Sequence, residues 1–489
     1  MRVSDIMVSL ISLVSPRRAL GYAAGHEAVR QYVAGTKKGA NKRWNPKLQS
    51  ADLDLWKDRK TMVARCRDLI RNSPYIAGAV RKMTSNTVRG GIQLQISKQF
   101  AYSETLETEW AAWNAKADRS GHDSFNALQS LIFKSFWYDG EIFIRRTWEK
   151  DTSKVKDPLF NPCTIELLES DFLAVNIDGV VGGKSVRGGI ELEPNGKPSA
   201  YYLYSSHPND VVSASPQPVR VPASDCLHIF MRERPGQTRG IPWLSPIALE
   251  SFELNEYQAY ERIGARLAAA FGLFVKSNIP EVFGSPNPFG DTTLPAYIEP
   301  GRIQPLPAGT EIQVASHNRP GDNYAPYVST SLRSMSTGVG MSSEAFSNDY
   351  TSASYSSARQ AALEERIQYQ NYQVFLVEKV CRPVFQWFCE GLYLAGRFPQ
   401  WAVDPAGIKA SALWQCPGWP WIDPQKEAKA AELDLQLGIT TRAKLAAQRG
   451  EDWEDIYSAL IIENEKMKAL NPQQVTAQPA AKSEGEQDG

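Results

Sequence analysis

Long apolar runs are missing from this 489-residue chain. The longest, Leu267 to Val275, has nine residues, whereas a membrane-spanning helix needs about 20. No transmembrane segment is expected. Cysteine is sparse, with six residues and no CxxC pair. That excludes a disulfide framework and favours a reducing compartment. Net charge is also missing: 54 Lys+Arg balance 54 Asp+Glu, and the pI is about 7.0. A generally basic nucleic-acid binder would lie above a pI of about 9. The histidines at 26, 122, 207, 228 and 317 are scattered and form neither HExxH nor a helical pair, so zinc hydrolysis is not expected. A GxSxG nucleophile elbow is missing too.

What is present is enough apolar material for a core, at 42%, in a length that suggests about three domains. Charge is unevenly placed. Residues 1–98 carry 19 Lys+Arg and six Asp+Glu, a formal +13, while residues 99–422 carry 27 against 35, or −8. The basic end is either a solvated helix face or a surface that meets an acidic partner or nucleic acid.

Near the N-terminus, Val3, Ile6, Met7, Leu10, Ile11 and Val14 fit one face of a docking helix rather than a signal peptide. Residues 35–50 read as an extended arm. Residues 52–72 form a helix with Leu55, Trp56, Met62, Val63, Cys66, Leu69 and Ile70 inward, and Lys57, Arg59, Lys60, Arg65, Arg67 and Arg71 outward. Ser73 caps the next helix, with Pro74 in its first turn. Helices near 104–117 and 125–138, the second with Leu128, Leu131, Ile132 and Phe136 inward, precede strands at Glu141–Trp148 and Thr164–Leu168. A hairpin turns at Pro194-Asn195-Gly196-Lys197, and Cys226–Phe230 is a further strand. The first half is thus α+β.

A helix from Trp243 to about Val275, roughly 45 Å long, carries Glu250, Glu253, Glu256 and Glu261. Residues 278–326 hold nine prolines, with strand candidates at 296–298 and 311–315. Ser342 to Ser357 contains seven serines and no Lys or Arg. A helix over 357–395 follows, kinked at Pro383. Three helices, near 424–437, 440–449 and 451–469, close the fold, and the polar tail after Pro472 reads as disordered.

Candidate chemistry is thin. Asp178-Gly-Val-Val-Gly-Gly-Lys-Ser185 imitates a Walker A loop, but its first glycine is one position late and no helix follows to receive phosphates. A glycine-rich β-turn fits better, with an NTP-hydrolysing enzyme as the alternative. His228, inside a strand, reads as a core histidine. Cys381 and Cys389 share an aromatic-rich helix and read as core. The glutamates of 243–275 read as an exposed face. No catalytic residue, metal ligand or cofactor is expected.

Asp68-Leu-Ile-Arg-Asn-Ser-Pro-Tyr-Ile-Ala-Gly-Ala-Val-Arg81 resembles the lambda-type portal proteins of tailed bacteriophages. So do RERPGQTRGIPWLSP at 232–246, Ser347-Asn-Asp-Tyr350 with Tyr355-Ser-Ser-Ala-Arg359, and Pro417-Gly-Trp-Pro-Trp-Ile-Asp-Pro424 with Lys426-Glu427. The resemblance implies a dodecameric ring at one capsid vertex, through which double-stranded DNA is packaged and ejected. It also implies an α+β portal fold. An N-terminal arm (1–50, partly disordered) would lead into a mixed wing (51–242 and 358–421). Stem helices would run at 243–275 and 325–340, with a clip (276–324), a tunnel loop (341–357), a helical crown (422–472) and a disordered tail (473–489). The implied partners are further copies of the chain, terminase, a head-completion or connector protein, and major capsid and scaffold proteins, with no membrane. The implied location is the virion, with assembly in the host cytoplasm.

Carried onto this chain, the tunnel loop would present Ser347, Asn348, Asp349, Tyr350, Thr351 and Tyr355 to DNA. Glu250, Glu253 and Glu256 would face the channel, where carboxylates and a loop without cations avoid gripping phosphates. Arg232, Arg234 and Arg239 would organise the turn into the first stem helix through a buried Arg–carboxylate pair.

Overall fold

Between residues 51 and 138 apolar side chains recur every three or four positions, and the chain there is largely helical. The computed structural model describes residues 46–149, 159–210, 217–270, 274–277, 310–313, 321–351 and 353–470, with Ser15 and Arg43. The chain divides into two units, 1–54 and 55–489. In the first, residues 46–50 are coil leading into a helix, and the Leu53 N–H donates to Ser50 Oγ at 3.3 Å. The expected docking helix over Val3 to Val14, most of the arm, most of the clip with its strand candidate at 296–298, and the tail lie outside the described residues.

The opening helices are α1 (Ala51–Trp56), α2 (Arg59–Asn72) and α3 (Pro74–Thr87). The single helix expected over 52–72 is therefore interrupted. Asp58, a residue that favours helix starts over helix interiors, begins α2, and its carbonyl accepts from the Met62 N–H at 2.9 Å. Trp56, expected inward, is 46% exposed. Its ring lies against Gly188, where any β-carbon would come within 2.4 Å. Ser73 starts α3 without capping through its side chain; Pro74 supplies the helical φ instead.

β1 (Gln93–Ile96), α4 (Ser103–Asn114), α5 (Phe125–Tyr138), β2 (Glu141–Trp148) and β3 (Cys163–Leu168) follow. Ser124 caps α5 by accepting from the Ala127 N–H at 3.2 Å. Leu131, expected inward on α5, is 42% exposed. A five-stranded antiparallel meander comes next: β4 (Gly179–Val181), β5 (Lys184–Arg187), β6 (Ile190–Leu192), β7 (Pro198–Tyr204) and β8 (Pro218–Pro222). β9 (Cys226–Phe230) returns to pair with β2, giving a three-stranded antiparallel sheet of order β3-β2-β9.

The expected helix over 243–275 is shorter at both ends. A 3₁₀ turn at Ser245–Ile247 precedes α6 (Ala248–Ala270), and Phe274 and Val275 already belong to β10 (Phe274–Ser277), paired with β11 (Thr310–Gln313). At 23 residues, α6 is about 35 Å long. Pairing with β11 places Phe274 and Val275, the end of the apolar run, in a strand.

α7 (Tyr324–Val339) returns alongside α6 and ends on Gly340 in the left-handed conformation. Then come α8 (Ser343–Ser347), α9 (Tyr355–Leu376), a π-helical turn at Val377–Cys381 and α10 (Arg382–Leu394). That wide turn sits where Pro383 would clash with, and cannot bond, the carbonyl four residues before it. The chain closes with α11 (Gln400–Val403), α12 (Pro405–Ser411), β12 (Ala412–Gln415), α13 (Pro424–Gln436), α14 (Arg442–Arg449) and α15 (Trp453–Leu470). β12 pairs antiparallel with β1 across more than 300 positions. It thereby brings Trp414 to an aromatic centre around Trp110, whose ring lies 4.9 Å from Trp113, 5.1 Å from Phe388 and 5.8 Å from Trp414. Among the described residues, no helix is long and apolar enough to cross a membrane. The fold is α+β, as expected.

Candidate functional site

Two places bring together residues singled out in the sequence: the entry to α6 and the serine-rich segment between α7 and α9. At the first, Gly140 ends α5 with φ +77°, and a β-carbon there would stand 2.2 Å from the Ile241 carbonyl carbon. Gly240 meets the same constraint from the other side. Two bare backbones therefore cross where the chain leaves the sheet for α6.

Beside this crossing Glu141, fully buried, accepts from Arg239 Nε at 2.8 and 3.1 Å and from the Gly240 N–H at 2.6 Å. Arg59 Nη2 lies 3.0 Å from it, and His228 Nε2 is 3.0 Å away. Burial alone would raise the Glu141 pKa, but Arg239, Arg59 and His228 hold it well below the carboxylate range. Burial lowers the His228 imidazole, which stacks on Phe143 at 4.2 Å. It also brings the Arg59 guanidinium down to about 10. Arg67 donates to Asp139 at 2.7 and 2.6 Å.

Arg59 and Arg67 were expected on an outward basic face. Both turn inward because the helix–strand turn Asp139-Gly140-Glu141 presents two buried carboxylates to α2. Of the three arginines before the stem, the structure brings only Arg239 into this cluster. Arg232 and Arg234 are exposed. The turn between them is held by Gln237, which sequence reasoning missed. Its Oε1 accepts from the Glu233 and Arg234 N–H groups at 2.9 and 3.2 Å, and its Nε2 donates to the Arg239 carbonyl at 2.7 Å.

α6 and α7 run antiparallel. Ser334 Oγ donates to Glu250 at 2.9 Å, and the Tyr257 ring meets Tyr327 at 4.7 Å. Glu250 thus faces α7, apart from the other two glutamates expected on one channel face. Glu253 and Glu256 lie on the exposed side of the helix. There Leu249, Phe252, Tyr260 and Ile263 are 67, 55, 66 and 51% exposed and form one stripe at helical spacing.

The serine-rich segment is more ordered than a loop. Ser347 ends α8 and Tyr355 begins α9, which leaves Asn348, Asp349, Tyr350 and Thr351 as the exposed non-helical residues among those expected to meet DNA. Helix starts explain the difference. Ser342 accepts from the Ala345 N–H at 3.2 Å, and Ser354 forms a capping box with Ser357. Asn348 adopts φ 61°, and Asp349 accepts from the Thr351 N–H and hydroxyl at 3.0 and 2.6 Å. The segment has no lysine of its own, but Lys82 from α3 donates to the Ala345 carbonyl and to Asn348 Oδ1.

The Walker-like segment is a hairpin. Val181 pairs with Lys184, and Gly182 and Gly183 have φ 58° and 79°, as a two-residue turn between twisted strands requires. Lys184 Nζ is bonded to buried Glu191 at 2.7 Å, beside Arg220. Cys381 and Cys389 are buried, and burial raises both thiols, the opposite of an activated nucleophile. Glu169, Asp171 and His207 could together offer ligands to a metal. Arg67 already places its charge there, 2.6 Å from Asp171 and 3.3 Å from Glu169.

Comparison with known proteins defines the class. Residues 37–373 match the family described as phage portal protein, lambda family. A probable portal protein of Halomonas phage phiHAP-1 is 26% identical over 88% of this chain and 85% of its own length. Portal protein B of Escherichia phage lambda is 22% identical over 91% of this chain and 92% of its own. Among solved structures, the neck of a native gene transfer agent particle, computed with C12 symmetry, covers 81% of this chain and 94% of its own at 13% identity, with a TM-score of 0.47. Both phage relatives carry the name portal protein, the first as a probable one. The chain belongs to the lambda family of phage portal proteins. Its role is structural, and the NTP-hydrolysing alternative is set aside.

Proposed function

We propose that copies of this chain close into a ring, a dodecamer, at one vertex of the capsid, and that double-stranded DNA passes through its centre. The supporting observation is the outer face of α6. A helix that has already packed one side against α7 keeps a second stripe of large apolar side chains in water, and such a face calls for a partner. A neighbouring copy in a ring supplies one. Glu253, at the edge of the stripe, would then stand toward the channel, Glu256 would lie within the contact between Phe252 and Tyr260, and Glu250 serves the α6–α7 contact.

In this reading residues 51–242 and 358–421 form the wing, and Ala248–Ala270 and Tyr324–Val339 the stem. Residues 276–324 form the clip that receives terminase and later the head-completion protein. Residues 341–357 carry the tunnel loop, and residues from 422 the crown. Arg239 fixes the wing-to-stem turn. The ring assembles with capsid and scaffold proteins in the host cytoplasm and stays in the virion.

Electron microscopy of purified protein carrying Phe252→Asp and Tyr260→Asp tests the ring. Burying a large apolar side chain contributes about 1.5–3 kcal/mol, so the charged variant should stay monomeric and folded. Rings of normal size would place the subunit contact elsewhere.

A further inference from the structure

The serine-rich segment is tied to the body of the protein at three points, all near its base. Phe346 is 3% exposed and packs into the core. The Ser342 N–H donates to Glu365 Oε1 on α9 at 2.8 Å, and the Tyr369 hydroxyl donates to Glu365 Oε2 at 3.0 Å. The third tie is Lys82, whose ammonium reaches the Ala345 carbonyl and Asn348 Oδ1. Beyond Asn348 the pattern changes: among the described residues Asp349, Tyr350 and Thr351 are exposed and bonded within the loop itself.

A five-residue helix is too short to persist alone. α8 ends in carbonyls that have no amide partner, and the negative end of its dipole lies there. A cation on a neighbouring helix answers both needs. Asn348 contributes twice, by accepting the left-handed backbone that closes α8 and by offering its side-chain oxygen to the same ammonium. The charged groups around Lys82 are consistent with a held contact: burial lowers its pKa and Glu365 draws it back up.

We propose that Lys82 is a positioning residue for the tunnel loop, a latch on α3 that fixes residues 342–348 and confines movement to the tip beyond Asn348. The idea rests on the reading of this segment as the loop that meets DNA. It adds that the loop's stiffness is set from outside by one lysine. Without the latch, α8 loses its C-terminal cap, the base frays, and the tip can no longer hold its place against passing DNA.

Hydrogen exchange on assembled rings tests the latch, with Lys82→Met and Lys82→Arg compared. Losing a charged hydrogen bond should speed exchange of the Phe346, Ser347 and Asn348 amides about tenfold in Lys82→Met. Lys82→Arg, which keeps the charge and donors, should restore most of the protection. Amides in the centres of α3 and α9 should not change. Unchanged exchange at 346–348 in Lys82→Met would overturn the proposal. So would faster exchange spread evenly through α3, which would mark a general folding role. DNA retention in filled heads is the separate readout. Faster exchange with normal retention would uphold the latch and overturn the channel reading of the loop. Faster exchange with lost retention supports both.

Discussion

Glu141 and Arg239 are 98 positions apart and meet at 2.8 Å, with both side chains buried. One opens β2 and the other precedes the stem, so the pair ties the sheet to the helix that leaves it. Arg239→Ala would strand a buried carboxylate with Arg59 as its remaining guanidinium. Removing one partner of a buried pair costs about 3–5 kcal/mol, and Arg59 should keep the loss near the lower end. Because the pair is shielded from solvent, urea midpoints measured at low and moderate salt should fall by the same amount. Arg232→Ala, at an exposed position, should change neither. A loss of DNA affinity with unchanged stability would instead make Arg239 a phosphate ligand.

The same cluster makes the fold acid-sensitive in two separate ranges. His228 has a folded pKa below the ordinary 6.5, so the unfolded chain takes up a proton that the folded one refuses. Its contribution is complete above about pH 6.5 and is lost as pH falls toward the folded value. Glu141 has a folded pKa well below 4.5. Its contribution is complete above about pH 4.5 and is lost as pH falls through the folded value. Urea midpoints followed from pH 7 to pH 3 should show both losses. His228→Gln should flatten the slope just below pH 6.5 and leave the lower one. An unchanged upper slope would assign it to another group.

Much of this architecture was legible from local pattern. The first-half helices, β2, β3 and β9 follow from apolar periodicity, the α7 span was expected only through the family resemblance, and Gly182-Gly183 forms the hairpin turn that the failed Walker match suggested. What was hidden depends on partners distant in sequence. Arg59 and Arg67 occupy helical positions that read as outward, and only Asp139 and Glu141, about 80 positions later, turn them in. Phe274 and Val275 continue a helical pattern until β11 pairs with them. Lys82 lies in an unremarkable turn of α3, and no spacing links it to Asn348. The start of α9 was also missed: the helix was expected from 357, whereas Ser354 caps it with Ser357 and it begins at Tyr355.

Deleting Asp349 to Ala353 should spare assembly. These residues lie between Asn348, which the latch holds, and Ser354, which caps α9 through Ser357. Keeping both ends leaves α8 and α9 intact. Rings should form and join capsids, yet packaged DNA should leak or fail to accumulate, as measured by nuclease-protected DNA per particle. Failure to form rings would show that the tip is an assembly element. A larger deletion, Asn348 to Tyr355, would also remove the Lys82 acceptor and the first residue of α9, and so could not make this distinction.

Salt should weaken the ring less than the +13 of the first 98 residues suggests. Five of the cations lie in α2, and Lys57 just precedes it. Arg59 and Arg67 are committed to Asp139 and Glu141 within the chain, and Arg71 lies 3.8 Å from Asp68. Lys57, Lys60 and Arg65 remain exposed. Ion pairs that these three would make with a neighbouring copy contribute about 0–1 kcal/mol each, and salt at about 1 M screens them beyond about 3 Å. The apolar stripe of α6 gains by burial, which added salt does not weaken. Sedimentation across a salt series should therefore show rings persisting at about 1 M salt, while Phe252→Asp with Tyr260→Asp sediments as monomer throughout. If wild-type rings dissociate steeply below that, the subunit contact is electrostatic, and Lys57, Lys60 and Arg65 become the residues to neutralise first.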